Sequence, residues 1–222
     1  KFENLIDQPN DATKVFYIAS PNNPTGTYLS RDQLVKLMNS ISKKIIVVID
    51  GAYVEYVQKD DYDKGFSLTD EYENIILTRT FSKTYGLAAL RVGWCYTSQK
   101  IADIINKIKP PFNTTTISQS LAIKALEDKE HIENSVKLNS EIKDWFEKEL
   151  KLLNIKTRQT EGNFTLIETS EEEAEKISNH LMNDGIIIRR LNSYNLPNFL
   201  RISICTKEEM NMTVESLKKF NV

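Results

Sequence analysis

Only two of the 222 residues are cysteines, Cys95 and Cys205, and only two are histidines. The cysteines form no metal-spaced pair and read as two reduced thiols. Neither histidine has a visible catalytic partner, although His131 stands near a helix start. No apolar run is long; Ile45 to Ile49 is far too short to span a membrane. No signal-peptide pattern is visible. Charge of one sign is also missing, with 29 basic and 31 acidic side chains and a net charge of −2. Without a basic stripe interleaved with aromatics, a nucleic-acid partner has little support. There is no internal repeat and no low-complexity tract. The short acidic cluster Glu171-Glu172-Glu173 sits at a helix start, where it suits the dipole.

What is present is an ordinary globular balance, 40% hydrophobic and 27% charged, with length enough for one large domain or two small ones. Val15 to Ala19 reads as a short buried strand, followed by a Pro/Asn/Gly loop from Ser20 to Gly26. Ser30 with Gln33 three positions later is a capping-box pattern, and Leu34, Leu37, Met38 and Ile41 continue at helical spacing. Ile45 to Ile49 is a β-branched run of the kind buried on both faces in a parallel sheet. Ile75 to Thr78 and Arg91 to Tyr96 are further strands. Strands alternating with helices predict an α/β sheet.

Helices are expected from about Thr116 to Leu126 and from about Ile132 to Leu153, the second with Ile142, Trp145, Phe146, Leu150 and Leu153 on one face. The pattern then changes to a strand pair, Ile155 to Thr160 and Asn163 to Glu168. A helix follows from about Glu171 to Asp184, with Ser170 and Glu173 as a capping box and Gly185 as a stop. Two strands, Ile186 to Arg190 and Phe199 to Cys205, and a helix from Lys207 to Phe220 close the chain. The expected domains are residues 1–130 and 131–222, the boundary falling in the long helix.

The most informative run is Thr80-Phe81-Ser82-Lys83-Thr84-Tyr85-Gly86, continuing to Arg91 and Gly93. It follows a strand, so it delivers a lysine, hydroxyls and an arginine to a strand end. A nucleophilic amine needs a fixed position and a lowered pKa, and nearby cations help with both. Arg91, eight positions beyond Lys83, supplies a permanent charge. Thr80 and Ser82 can donate to a phosphate. The set suits an anionic aldehyde held as a Schiff base, as pyridoxal 5′-phosphate is held. A plain phosphate contact is the simpler use of Lys83, but the Gly-rich P-loop pattern is absent.

Two more motifs stand in order before this one, Ser20-Pro21-Asn22-Asn23-Pro24-Thr25-Gly26 and Asp50-Gly51-Ala52-Tyr53-Val54-Glu55-Tyr56. Together the three resemble the class I/II, fold-type I, pyridoxal-phosphate aminotransferases, most closely the histidinol-phosphate aminotransferase family, over essentially the whole chain. The resemblance implies part of a mostly parallel fold-type I large domain plus a smaller α+β C-terminal domain.

A carboxylate at a strand's carboxyl end, such as Asp50, can keep a pyridine nitrogen protonated, so that the ring stays an electron sink. An acidic cap on the next turn would also explain it. A phenol at Tyr53 can hydrogen-bond the ring oxygen, or simply pack under the sheet. An amide at Asn23, fixed by the following proline, can donate to the same oxygen, or serve an ordinary Asn-Pro turn. The resemblance implies the cofactor roles for Asp50, Tyr53 and Asn23, and two tasks for Lys83: holding the cofactor and moving the proton at the substrate Cα.

Arg201 lies among apolar neighbours in Phe199 to Ile204, which is costly without an anionic partner. The resemblance places the substrate-anion arginine there and adds Arg189 to a substrate phosphate site. A surface strand end would equally explain Arg189, and Arg190 is expected to face solvent.

A Gly-rich phosphate loop, a ring-stacking aromatic and a partner-subunit tyrosine of the family have no counterpart after Lys1. The chain therefore reads as the C-terminal part of a longer protein or a truncated form. The implied activity moves an amino group between a small-molecule amine donor, histidinol phosphate, and a 2-oxo acid acceptor, 2-oxoglutarate, in a cytoplasmic homodimer. An aromatic or other amino-acid aminotransferase, a phospho-amino-acid decarboxylase of the same fold, and a catalytically inactive fragment remain open.

Overall fold

The computed structural model describes residues 2–220, in two compact units. One comprises residues up to Asn22 and Tyr28–Ile132; the other comprises Asn23–Thr27 and residues from Glu133 onward. Nothing in the composition of residues 23–27 marks that five-residue exchange.

The first unit contains α1 (Phe2–Ile6), β1 (Val15–Ala19), α2 (Arg31–Ser40), β2 (Ile46–Asp50), α3 (Phe66–Glu71), β3 (Ile75–Thr80), β4 (Gly93–Thr97), α4 (Gln99–Ile108) and α5 (Thr116–Glu127). The sheet order is β1-β2-β3-β4. β1 and β2 are parallel, β2 and β3 are parallel, and β4 returns antiparallel. This is the mostly parallel α/β sheet expected from the alternation. Val47, Val48 and Ile49 are all buried, because a central parallel strand is covered on both faces. Leu34, Leu37, Leu68, Ile75 and Leu77 close the core from α2, α3 and β3. Burying each such side chain contributes roughly 1.5–3 kcal/mol.

The capping box at α2 forms as its spacing predicts. The Ser30 hydroxyl accepts from Gln33 N, and the Gln33 side chain accepts from Ser30 N at 3.0 Å. β2 and the end of β4 are shifted by one residue from expectation, and two limits differ by two. β3 extends to Thr80, and β4 starts at Gly93 rather than at Arg91. A 3₁₀ turn at Ala88–Leu90 intervenes, and Arg91 follows it with φ 51°, outside any ladder. α4 was not anticipated, although Ile101, Ile104, Ile105 and Ile108 have helical spacing and Pro110 follows as a stop.

The chain passes into the second unit within α6 (Lys129–Leu152). There follow β5 (Lys156–Arg158), β6 (Phe164–Glu168), α7 (Glu171–Asn183), β7 (Arg189–Arg190), β8 (Phe199–Ser203) and α8 (Lys207–Phe220). The sheet order is β5-β6-β8-β7, antiparallel throughout. Phe146 and Leu150 of α6, Ile177 and Leu181 of α7, and Val214 and Leu217 of α8 share one core with Ile167, Leu200 and Ile202. The predicted stripe of α6 lies in this core, with Ile142, Trp145 and Leu153 at its margin.

The box at α7 is half formed. Ser170 accepts from Glu173 N, but the Glu173 carboxylate is taken by the Thr169 hydroxyl instead. Gly185 ends α7 at φ 81°, where Gly185 N donates to Met182 O and Ile186 N to Leu181 O. Ile186 to Ile188 stay outside the ladder, so β7 is two residues rather than five. Among the described residues, no helix is long and apolar enough to cross a membrane.

Candidate active site

In the first unit, Asp50 is the last residue of β2, where Ser20 N donates to its carbonyl at 3.0 Å and Gly51 N donates to Thr78 O at 3.0 Å. The turn is thereby tied to both neighbouring strands. The Asp50 carboxylate is exposed, and its Oδ1 accepts from Ala52 N at 3.1 Å. That bond is the acidic cap on the next turn that the sequence also allowed, and it sits at the carboxyl end of the strand, where open α/β sheets usually bind ligands. Tyr53, on the same turn, is 4% exposed.

The lysine loop begins where β3 ends. The Thr80 hydroxyl accepts from Ser82 N at 3.1 Å, Gly86 N donates to Lys83 O at 2.9 Å, and Leu87 N donates to Phe81 O at 2.9 Å. Phe81, Val92 and Ala122 of α5 form the apolar anchor beneath it. A rigid loop on a packed base is what presents Lys83 outward. Its Nζ lies 5.4 Å from the centroid of the Tyr53 ring. The structure thus brings Lys83, Tyr53 and the Asp50 turn to one end of the sheet. Arg91 is exposed, and its Nη1 donates to Ala88 O at 2.9 Å. Thr80 and Ser82 are half-buried in the same loop.

One neighbour was given no role by the sequence. The His131 Nε2 lies 3.1 Å from the carbonyl of Thr84, directly after Lys83. These residues are 47 positions apart, so no local pattern could signal the contact.

In the second unit, Arg201 sits mid-strand on β8 between the core residues Leu200 and Ile202, and so faces away from the helices. Its guanidinium carbon lies 5.3 Å from the Phe164 ring centroid. Its Nη1 donates to Asn23 Oδ1, and its buried Nε has no hydrogen-bond partner among the described residues. Because arginine only donates, Asn23 must turn its oxygen toward it, which leaves the amide nitrogen as the donating end. The Ser20–Pro21 and Asn23–Pro24 peptides in this loop are both cis.

Arg189 on β7 is exposed and lies directly opposite Arg201, with its guanidinium 5.8 Å from the Tyr194 ring. Both arginines line a cavity of about 800 Å³ with Ser203 and Ile187. Arg190 does not simply face solvent. It is half-buried, with Nη1 3.7 Å from Glu175 on α7, because strand alternation turns it to the helix side.

The chain matches the model of the family described as aminotransferase class I and II over residues 1–217. It is 41% identical to a histidinol-phosphate aminotransferase of Pelagibacter ubique (strain HTCC1062), over 98% of this chain and 61% of that protein. It is 40% identical to the histidinol-phosphate aminotransferase of Granulibacter bethesdensis, over 97% of this chain and 59% of that protein. The solved Sinorhizobium meliloti histidinol-phosphate aminotransferase, in complex with pyridoxal 5′-phosphate, superposes with a TM-score of 0.85 at 27% identity, over 93% of this chain and 58% of that one. The Clostridium acetobutylicum histidinol-phosphate aminotransferase gives a TM-score of 0.91 at 22% identity, over 100% and 67%, a likeness of fold. The chain spans about 60% of the length of the curated relatives it matches. With its ordered motifs and the match over 217 residues, the chain belongs to the class I and II aminotransferase family.

Proposed function

We propose that this chain provides the lysine-bearing and anion-binding parts of a pyridoxal-phosphate-dependent aminotransferase acting on histidinol phosphate and 2-oxoglutarate. The observation that carries the reading is the outward Lys83 amine, 5.4 Å from the Tyr53 ring and beside the Asp50 turn, at the carboxyl end of a parallel sheet. Lys83 forms no ion pair among the described residues, so its amine is available to a carbonyl compound. The fit to the cofactor is good: one amine, one phenol, one carboxylate and the Thr80, Ser82 and Arg91 donors for a phosphate.

When bound, pyridoxal phosphate supplies an electron sink for charge that develops at the substrate Cα. Lys83 would hold the cofactor, and its amine would move the proton at the substrate Cα. Asp50 would hold a proton on the ring nitrogen. Tyr53 would donate to the ring oxygen, and the family resemblance gives the same role to the amide nitrogen of Asn23.

Arg201 binds the substrate anion through its planar fork, and Arg189 adds a second cation for a phosphate ester. The orphaned Nε of Arg201 supports this, because a buried guanidinium donor without a partner is costly unless a ligand completes it. The homodimeric state and the cytoplasmic site belong to the same reading and rest on the family likeness.

The test is an absorbance spectrum of the full-length protein with pyridoxal phosphate. A visible band that shifts on adding histidinol phosphate, with formation of glutamate from it and 2-oxoglutarate, supports the reading. No visible band and no glutamate would sink it.

A further inference from the structure

A buried cation lies behind Asp50. Arg79 on β3 is only 6% exposed, and burial lowers its pKa, opposed by the charges of Tyr62, Glu55 and Asp50. No carboxylate forms an ion pair with it among the described residues. Such a charge is expensive to bury, so the interest lies in what it holds.

The guanidinium is gripped on every side. Its Nη1 donates to Thr78 O at 2.7 Å, and its Nη2 donates to Lys64 O. Its carbon lies 5.5 Å from the Phe66 ring centroid and 5.9 Å from that of Trp94, and those two rings are stacked. The remaining side is Gly51. A Cβ built there would stand 2.2 Å from Nη1, so the glycine is required for room.

Thr78 O is shared. It accepts from Arg79 Nη1 and also from Gly51 N, at 3.0 Å. One carbonyl thus links the arginine to the peptide that follows Asp50. The other side of the turn is the bond from Ala52 N to Asp50 Oδ1.

We propose that Arg79 is the positioning residue for Asp50. By filling the space under Gly51 and sharing Thr78 O with it, the guanidinium fixes the turn and so sets the direction of the carboxylate. The link to chemistry rests on the reading of Asp50 as partner of the cofactor's ring nitrogen; the link to the turn does not.

The test has two arms on the full-length protein. Without cofactor, amide hydrogen exchange is compared between wild type, Arg79→Met and Arg79→Lys. The Met variant should speed exchange at Gly51 and Ala52 by about tenfold or more, the size of one lost hydrogen bond. Val47 to Ile49 should keep their protection, and Lys should restore part of it. If Arg79→Met does not fold, Arg79→Lys carries the same readout, since an ammonium cannot span two carbonyls and two rings.

With pyridoxal phosphate labelled with ¹⁵N at the ring, the ring-nitrogen resonance should move toward the unprotonated position in Arg79→Met. It should move further in Asp50→Ala, and no further in the double variant. Unchanged exchange at the turn, exchange raised evenly through the chain, or a double variant that shifts beyond Asp50→Ala would overturn the proposal. A wild-type ring nitrogen that is unprotonated would instead defeat the role given to Asp50, while the exchange arm still decides what Arg79 holds.

Discussion

Arg189 and Arg201 face each other directly across the β7–β8 ladder. Like charges opposite one another destabilise a strand pair, by roughly 0.2–1 kcal/mol. Neither forms an ion pair among the described residues, and Arg201 donates from Nη1 to a neutral amide, Asn23. Both cations line one cavity, and the Glu209 carboxylate in the same lining is taken up by Thr206, so the pair suits an anionic ligand. Arg189→Gln is therefore expected to raise the ligand-free Tm slightly while it reduces the extra stability conferred by inorganic phosphate. Thermal melts with and without phosphate check both signs.

On the proposed function, the same pair would separate substrates. Each arginine is worth about 1.5–3 kcal/mol as a charge-assisted contact. Arg189→Ala should raise KM for histidinol phosphate more than for glutamate, whereas Arg201→Ala should raise both. If Arg189→Ala affected both equally or neither, a plain amino-acid aminotransferase would become the better reading.

Much of the frame is legible in the sequence because the signals are local. Ser30 and Gln33 sit three residues apart and make both bonds of the box. The apolar stripe of α6 and the β-branched run of β2 are periodicities of 3.6 and of a doubly buried strand. The failures are non-local or conformational. Asn23 and Arg201 are separated by 178 positions, and Lys83 meets Tyr53 only through the sheet. The strand expected from Arg91 starts at Gly93, because the φ of 51° at Arg91 takes it out of the ladder. Arg190 looked solvent-facing because Glu175, its partner, belongs to the preceding helix. Arg79 lies one residue beyond the expected strand Ile75 to Thr78, and nothing in its neighbours signals its burial.

Gly26 ties the Asn23–Thr27 loop to the second unit. It has φ 71°, and a Cβ there would lie 2.3 Å from Thr160 Cβ and 2.6 Å from Thr160 Cα. Gly26→Ala should cost at least about 1–3 kcal/mol in urea unfolding, since backbone has little freedom to give way. It should also weaken anion binding at Arg201, because Asn23 moves with the loop.

Glu147 on α6 has its pKa raised by burial, against the Thr165 hydroxyl and Lys143 and together with Asp144 and Glu161. An acid with a raised folded pKa disfavours its charged form in the fold. Its unfavourable contribution is absent below about pH 4.5 and grows as pH rises through the raised value. Glu147→Gln keeps an oxygen to accept from Thr165 and should be more stable than wild type at pH 7, with the gap closing toward pH 4.5. Urea unfolding across that range measures it; a gap that widens on acidification would contradict the assignment.

Asp50→Ala should leave the cofactor bound while proton abstraction at the substrate Cα slows by orders of magnitude, because an unprotonated ring is a poor electron sink. Single-turnover kinetics with a donor amine reads this directly. A near-normal rate would place the carboxylate away from the ring nitrogen.

The central claim concerns one atom, the Nζ of Lys83. Borohydride reduction of the full-length protein with pyridoxal phosphate, followed by peptide mass analysis, locates the covalent attachment. The account predicts a pyridoxyl group on the peptide that contains Lys83, and its loss in Lys83→Ala. A pyridoxyl group on another lysine, with Lys83 unmodified, would contradict it.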